Sequence, residues 1–229
     1  MPFDITAATV QLNGSNFIQT GDGRRRLGWS YPVRAKRALD IVLVLLAAPL
    51  ALLMVGLLCP FIMRDGGSPF FAQERVGRGG RIFRMWKLRS MVSDAEARLE
   101  AHLDACPERR REWDAHQKLR HDPRITPIGR FIRKCSLDEL PQLWNVLRGE
   151  MSVVGPRPMM PSQRALYPGT AYYALRPGIT GFWQVSMRNE SNFAERAEFD
   201  NSYFLNLSLV TDLWVMLRTV RVVVSGTGC

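Results

Sequence analysis

The sequence predicts a mainly α fold with minor β: a re-entrant membrane helix-break-helix joined to a small membrane-associated cytoplasmic domain that carries amphipathic interfacial helices. Three observations predict it. The stretch from Ile41 to Met63 holds no charged residue but carries Pro49 near its middle. Basic residues crowd both of its flanks. Downstream, apolar residues recur at helical spacing, whereas the extended pieces are short.

At 229 residues the chain can bury one compact domain, or a small domain beside a membrane element. Its net charge of +10, from 31 Lys and Arg, implies an anionic partner: a phosphorylated substrate, anionic lipid or nucleic acid. Cys59, Cys106, Cys135 and Cys229 form no Cys-x-x-Cys pair, and His102, His116 and His121 do not stand at zinc-ligand spacing with them. Reduced thiols and no structural zinc are therefore expected.

Residues 1–33 read as a flexible cytosolic leader. They are polar and contain glycine, and Arg24-Arg25-Arg26 replaces the apolar core a signal peptide needs. Residues 34–64 form the membrane element. As continuous helix the apolar run would reach about 35 Å, enough for a hydrocarbon core of roughly 30 Å. Pro49 opposes a plain crossing, because in a helix interior it removes a backbone donor at about 3 kcal/mol and leaves carbonyls to be satisfied inside lipid. Charge opposes it too. Arg34, Lys36 and Arg37 precede the run and Arg64, Arg75, Arg78 and Arg81 follow it, so the positive-inside rule keeps both ends in the cytoplasm. A helix that breaks at Ala48-Pro49 and returns to the same face meets both conditions; a kinked crossing is the alternative.

Residues 65–229 make the cytoplasmic domain. Asp65-Gly66-Gly67-Ser68-Pro69 is a turn cluster, and Phe70-Phe71 and Ile82-Phe83 suit short strand pieces. Val92 to Cys106 and Glu108 to Leu119 have helical patterns separated by Pro107, and Leu143, Trp144, Val146 and Leu147 mark a helix that ends near Gly149. Leu209, Leu213, Trp214, Leu217 and Val220 share one helix face, suited to a core or to the lipid interface.

The most informative local site is Ser136-Leu137-Asp138-Glu139. Ser136 and Glu139 have the spacing of a capping box, and Asp138 would favour a positive helix end. Pro141 argues instead for a turn leading into a helix that begins near it. Adjacent carboxylates beside Arg133 and Lys134 could hold Mg²⁺ and a diphosphate together, and an ionised aspartate there could attack phosphorus. Gly155-Pro156-Arg157-Pro158 fixes an arginine between prolines, which suits gripping a phosphate or a plain surface turn. Arg176-Pro177-Gly178 allows the same two readings. Lys87 and Arg89 lie in a basic stretch that would attract anionic head groups, at about 1 kcal/mol per residue. No phosphate-cradling Gly-x-x-x-x-Gly-Lys loop and no nucleophile elbow is present, which argues against nucleoside-triphosphate hydrolysis and serine acyl transfer.

Taken in order, seven segments resemble the bacterial sugar transferase family, the monotopic polyprenyl-phosphate phosphoglycosyl transferases. They are Lys36-Arg37-Ala38-Leu39-Asp40, Phe71-Ala72-Gln73-Glu74-Arg75-Val76-Gly77, Lys87-Leu88-Arg89-Ser90-Met91, Ser136 through Leu143, Asn145 through Ser152, Val154 through Pro158, and Arg176 through Gln184. The resemblance covers roughly residues 34 to 224. It implies a ping-pong transfer: Asp138 attacks the sugar-linked phosphate of a UDP-sugar, UMP leaves, and undecaprenyl phosphate collects the phosphosugar. It implies Mg²⁺, with Mn²⁺ as a substitute, at Asp138 and Glu139. Glu139 would assist as metal partner or as base for the lipid phosphate, and Lys87, Arg133, Pro156, Arg157, Arg176 and Asp200 would bind substrate. Leu88, Ser90 and Met187 depart from the family's usual residues.

The resemblance further implies a bacterial inner membrane enzyme at the cytoplasmic face, in contact with membrane lipids, with no nucleic acid partner and with homo-oligomerisation left open. Among relatives the chain looks most like small galactosyl- or glucosyl-phosphate transferases that begin exopolysaccharide repeats. The rival reading is a membrane-tethered basic protein that binds lipid or nucleic acid without catalysis.

Overall fold

The computed structural model describes residues 11–13, 17–20, 23–26, 30–116, 119, 122–186 and 193–224. Met187, His121, Cys229 and much of the leader lie outside them. Among residues 1–33, β1 (Gln11–Asn13), β2 (Phe17–Thr20) and β3 (Gly23–Arg26) form an antiparallel sheet.

The apolar run forms α1 (Lys36–Ile62), a single helix. The break expected at Ala48-Pro49 is not an interruption here, since α1 continues through both residues and through Pro60. A proline removes one hydrogen bond and bends a helix without forcing its neighbours out of helical geometry. Leu45, Leu46, Leu50, Leu52, Leu53 and Leu57 are each more than half exposed, so the middle of α1 presents a bare apolar surface. The helix is long and apolar enough to cross a membrane.

Both ends of α1 rest on the same domain. Val44 packs with Phe83, Met85, Val146 and Met151, whereas Leu58 and Ile62 pack with Leu88 and Ile132. Phe83, Met85 and Leu88 all belong to β5 (Ile82–Leu88), which pairs antiparallel with β4 (Phe70–Val76) in a hairpin turned at Gly77–Arg81. The strand pieces foreseen at Phe70-Phe71 and Ile82-Phe83 are the first residues of these two longer strands. Polar contacts fix the same two ends. Arg37 donates to the Val146 and Leu147 carbonyls, Asp40 accepts from Ser152 Oγ and the Val153 amide at 2.9 Å, and Arg89 donates to the Ile62 carbonyl at 2.9 Å.

Two helices, α2 (Ala95–Asp104) and α3 (Pro107–His116), pack against each other, as the interruption at Pro107 foretold. The basic, apolar segment from Ile125 becomes α4 (Pro127–Lys134), whose N-terminus is capped by the Thr126 hydroxyl accepting from the Gly129 amide at 2.9 Å. Next, α5 (Gln142–Arg148) begins directly after Pro141 and ends at Gly149, where φ of 78° suits glycine.

The two proline-flanked loops turn out to flank a parallel strand pair, β6 (Ser152–Val154) with β7 (Gly178–Thr180). Backbones cross so closely here that only glycine fits. A Cβ on Gly155 would lie 2.3 Å from the Arg176 carbonyl oxygen, and one on Gly181 would lie 2.0 Å from the Gly155 oxygen. Around this pair pack α6 (Ala171–Ala174), α7 (Phe182–Val185), α8 (Arg196–Leu205) and α9 (Leu209–Val224), with Val154, Tyr203, Phe204 and Val215 at the centre. The structure divides the α9 face that sequence left open: Val215 is buried and Trp214 is partly buried in this core, while Leu209, Val210, Leu213, Leu217 and Val220 face outward.

Candidate active site

Asp138 and Glu139 occupy a single 3-10 turn, Leu137–Glu139, between α4 and α5. Ser136, just before it, sits in the left-handed region at φ 55° and makes no capping hydrogen bond with its side chain. The capping-box reading therefore gives way to the turn that Pro141 had suggested. The left-handed region disfavours a Cβ-bearing residue, and such local strain is typical of segments that hold reactive groups. Lys87 bridges the pair: its ammonium lies 3.2 Å from Asp138 Oδ2 and 2.9 Å from Glu139 Oε1. Asp138 is buried and Lys87 is partly so.

Asn145 explains how Lys87 reaches that position. Its side chain is fully buried on α5 and treats the free edge of β5 as a second strand would. The carboxamide oxygen accepts from the Trp86 amide at 3.0 Å, and the nitrogen donates to the Arg84 carbonyl and to Glu150, each at 2.7 Å. The strand carrying Lys87 is thereby bonded to the helix that follows the acidic turn. In the sequence the one signal for Asn145 is a polar residue set among Leu143, Trp144, Val146 and Leu147.

Arg133 lies on the other side of the turn and donates to Ser90 Oγ at 2.8 Å. Burial lowers its guanidinium pKa, and the carboxylates of Asp138 and Asp122 act against that fall. Arg157, next to buried Pro156, stands over the Trp183 ring at 5.6 Å. Two arginines that sequence reading did not select converge on the same loop. Arg75 donates to the Pro158 carbonyl at 3.4 Å, and Arg196, 6% exposed, donates to the Arg157 carbonyl at 2.7 Å. Arg196 also lies over the rings of Trp183 and Phe193. Burial brings the Arg75 guanidinium down to about 10, with Arg157 and Arg196 pushing the same way and Glu139 opposing.

Asp200 is buried behind this cluster, where it accepts from the Tyr167 hydroxyl at 2.7 Å. Burial pushes its carboxyl up to about 6, against the pull of the Tyr167 hydrogen bond and the Arg196 charge. The native state thus holds this proton more tightly than the unfolded chain does between about pH 4 and pH 6. Its stabilising contribution is full below that window and falls as pH rises through it. Thermal unfolding followed from pH 4 to pH 7 should show this decline in the natural protein and a flatter profile in Asp200→Asn; coincident profiles would refute it.

Lys87, Arg133, Asp138 and Glu139 therefore come together, with Arg157 joined to them through Arg75, while Pro156 shapes the loop and Asp200 backs it. Arg176 is elsewhere. Its Nε donates to the Gly149 carbonyl at 2.8 Å, at the C-terminus of α5, and its charged neighbours are Arg78, Arg37 and Asp40. Ala48 and Pro49 lie in the exposed middle of α1. Arg89, read as a lipid-attracting residue, instead pairs with Asp65 and ties the end of α1 to β5.

The two carboxylates of the acidic turn could hold a hard divalent ion. Mg²⁺ is commonly held through one or two carboxylates, with substrate phosphates and waters completing its sphere, and a cationic ammonium already lies between the two carboxylates. Among the described residues no group of three or more acidic, His or Cys side chains is placed to hold a metal ion.

The model of the family described as bacterial sugar transferase matches residues 31–226. The chain belongs to that family. It is 48% identical over 195 residues to the UDP-galactose-lipid carrier transferase of Erwinia amylovora, an alignment covering 84% of this chain and 41% of the relative. It is 43% identical over 200 residues to the exopolysaccharide production protein ExoY of Rhizobium meliloti, covering 85% and 87% of the two chains. Undecaprenyl-phosphate galactose phosphotransferase of Salmonella typhimurium is 43% identical over 195 residues, again 84% of this chain and 41% of the relative. This member of the sugar transferase family thus matches less than half the length of two of these relatives and most of the third.

Proposed function

We propose that this sugar transferase moves a hexose-1-phosphate from UDP-galactose or UDP-glucose to undecaprenyl phosphate, releasing UMP, as the first membrane step of exopolysaccharide repeat assembly. The observation that carries the reading is the Asp138-Glu139 pair, bridged by Lys87 and neighboured by Arg133 and Arg75. The names of the relatives above direct the choice of sugar and lipid.

In the first half-reaction an Asp138 carboxylate oxygen attacks the sugar-linked phosphorus. The bond from that phosphorus to the bridging oxygen breaks, and UMP departs with the electron pair. An oxygen of undecaprenyl phosphate then attacks the same phosphorus, the bond to Asp138 breaks, and the carboxylate is restored. Glu139 takes the proton of the incoming lipid phosphate when it carries one. Lys87 holds both carboxylates oriented, and the arginines stabilise charge that builds on phosphate oxygens. Mg²⁺ or Mn²⁺, held by Asp138 and Glu139, would supply charge neutralisation of the diphosphate.

The membrane part of the reading rests on α1. From Val44 to Leu58 the helix rises about 21 Å, comparable with the roughly 20 Å of a seven-residue strand such as β5, and both ends contact β5. A plain crossing would carry one end of the run away from the domain. A shallow element with both ends at the cytoplasmic face accounts for both contacts, for the flanking cations and for the bare leucines, and the outward apolar row of α9 extends the lipid-facing surface.

The test is an assay in nanodiscs with Mg²⁺, undecaprenyl phosphate and a panel of UDP-sugars, in which the released nucleotide is identified. UMP is expected and UDP would discard the mechanism, because transfer of the sugar alone releases UDP. EDTA is expected to stop turnover and added Mg²⁺ to restore it; indifference to EDTA would remove the metal. A protein that only binds lipid would release no nucleotide at all. For topology, cysteines introduced before Arg34 and after Met63 should be labelled by a membrane-impermeant reagent from the same side, and labelling from opposite sides would refute re-entry.

A further inference from the structure

Arg75, Arg157 and Arg196 share an arrangement that ordinary fold stability does not explain. Each is charged, and none forms an ion pair with a carboxylate among the described residues. Two of them grip the backbone of one loop, Arg75 at the Pro158 carbonyl and Arg196 at the Arg157 carbonyl. The third guanidinium, on Arg157, shares the Trp183 ring with that of Arg196, at 5.6 and 5.2 Å. The Nε of Arg75 is buried without a hydrogen-bond partner. The acidic group nearest in effect to Arg196 is Asp200, already engaged by Tyr167.

Gathering three like charges in a partly buried place is unfavourable unless an anion of more than one charge compensates them. Proline on both sides of Arg157, together with the two carbonyl grips, fixes the loop before any ligand arrives, so little freedom remains to be lost on binding. Arg75 lies on β4, which pairs with the strand that carries Lys87, and Glu139 acts on it electrostatically.

We propose that Arg75, Arg157 and Arg196 form one cradle for a dianionic phosphate monoester: the phosphate that stays with the nucleotide in the first half-reaction and, in its turn, the phosphate of the acceptor lipid. The inference rests on the transfer chemistry proposed above and adds Arg75 and Arg196 to the binding residues. It makes the two half-reactions use one anion site in alternation. UMP and the lipid phosphate should therefore compete.

Binding without turnover separates this cradle from the chemistry. The full chain carrying Asp138→Asn, in nanodiscs, is titrated with UMP, with uridine and with a short-chain polyprenyl phosphate. Arg75→Met and Arg196→Met are each expected to weaken UMP and polyprenyl phosphate binding at least tenfold while leaving uridine binding unchanged. That selective loss is one a merely structural role would not produce, since general loosening would weaken uridine in parallel. Arg196→Lys keeps a cation in the buried position and serves if the Met variant does not fold; it should lose part of the UMP preference over uridine. Unchanged UMP binding in both Met variants, or equal losses for UMP and uridine, would overturn the cradle. Loss confined to UMP would overturn the shared use by the lipid. Release of UDP by the natural protein would strike the transfer chemistry alone, because these titrations do not depend on it.

Discussion

Asp138→Asn should reduce UMP release by about three orders of magnitude or more, since it removes the proposed nucleophile while keeping its shape. Lys87 retains Glu139 at 2.9 Å in that variant, so the turn keeps its cation and the fold should survive with little change in melting temperature. Intact-mass measurement after rapid quench with UDP-sugar alone should show one phosphosugar adduct on the natural protein and none on Asp138→Asn. Peptide mapping should find the adduct on Asp138. An adduct at another residue, or near-normal turnover in the variant, would sink covalent catalysis by this carboxylate. Glu139→Gln gives a useful contrast, because a residue needed for proton uptake from the acceptor should spare the first half-reaction more than the second.

The acidic turn was legible in sequence because two carboxylates, two upstream cations and a following proline stand next to one another. Lys87 lies 51 residues before Asp138. Its partnership with the pair could be reached only through family resemblance, since strand pairing and the Asn145 side chain create it. Arg196 had no local signal at all: it lies in α8, 39 residues beyond the loop it grips, within an ordinary mixed-charge helix. Arg176 shows the reverse case. Its proline-glycine setting looked like a phosphate grip, but the parallel pairing of β6 with β7 turns that segment toward the end of α5. Local spacing found strand, turn and helix limits near Gly149 and Pro141, where backbone chemistry decides. It did not find contacts that depend on which segments pack together, nor how a helix containing Pro49 would run.

Asp212→Ala should destabilise the folded chain by about 3–5 kcal/mol, the range for removing one partner of a buried ion pair. Asp212 is 1% exposed on α9, and one of its oxygens lies 2.6 Å from the ammonium of Lys36 at the start of α1. The same oxygen accepts from the Tyr31 hydroxyl, and the other accepts from the Tyr203 hydroxyl at 2.6 Å. Removing the carboxylate strands a buried ammonium and deprives two hydroxyls of their acceptor. Such a loss is a large share of the 5–15 kcal/mol that holds a typical domain, and it would fall where α1 joins the domain. A lower urea midpoint in detergent, with faster protease cleavage near Tyr31, is the expected result. Lys36→Met combined with Asp212→Leu should recover most of the loss, because a buried pair replaced by apolar side chains of similar size is often close to neutral. If the double variant were as unstable as Asp212→Ala, the stranded charge could not be the cause, and the hydrogen bonds of Tyr31 and Tyr203 would have to carry the junction between α1 and the domain.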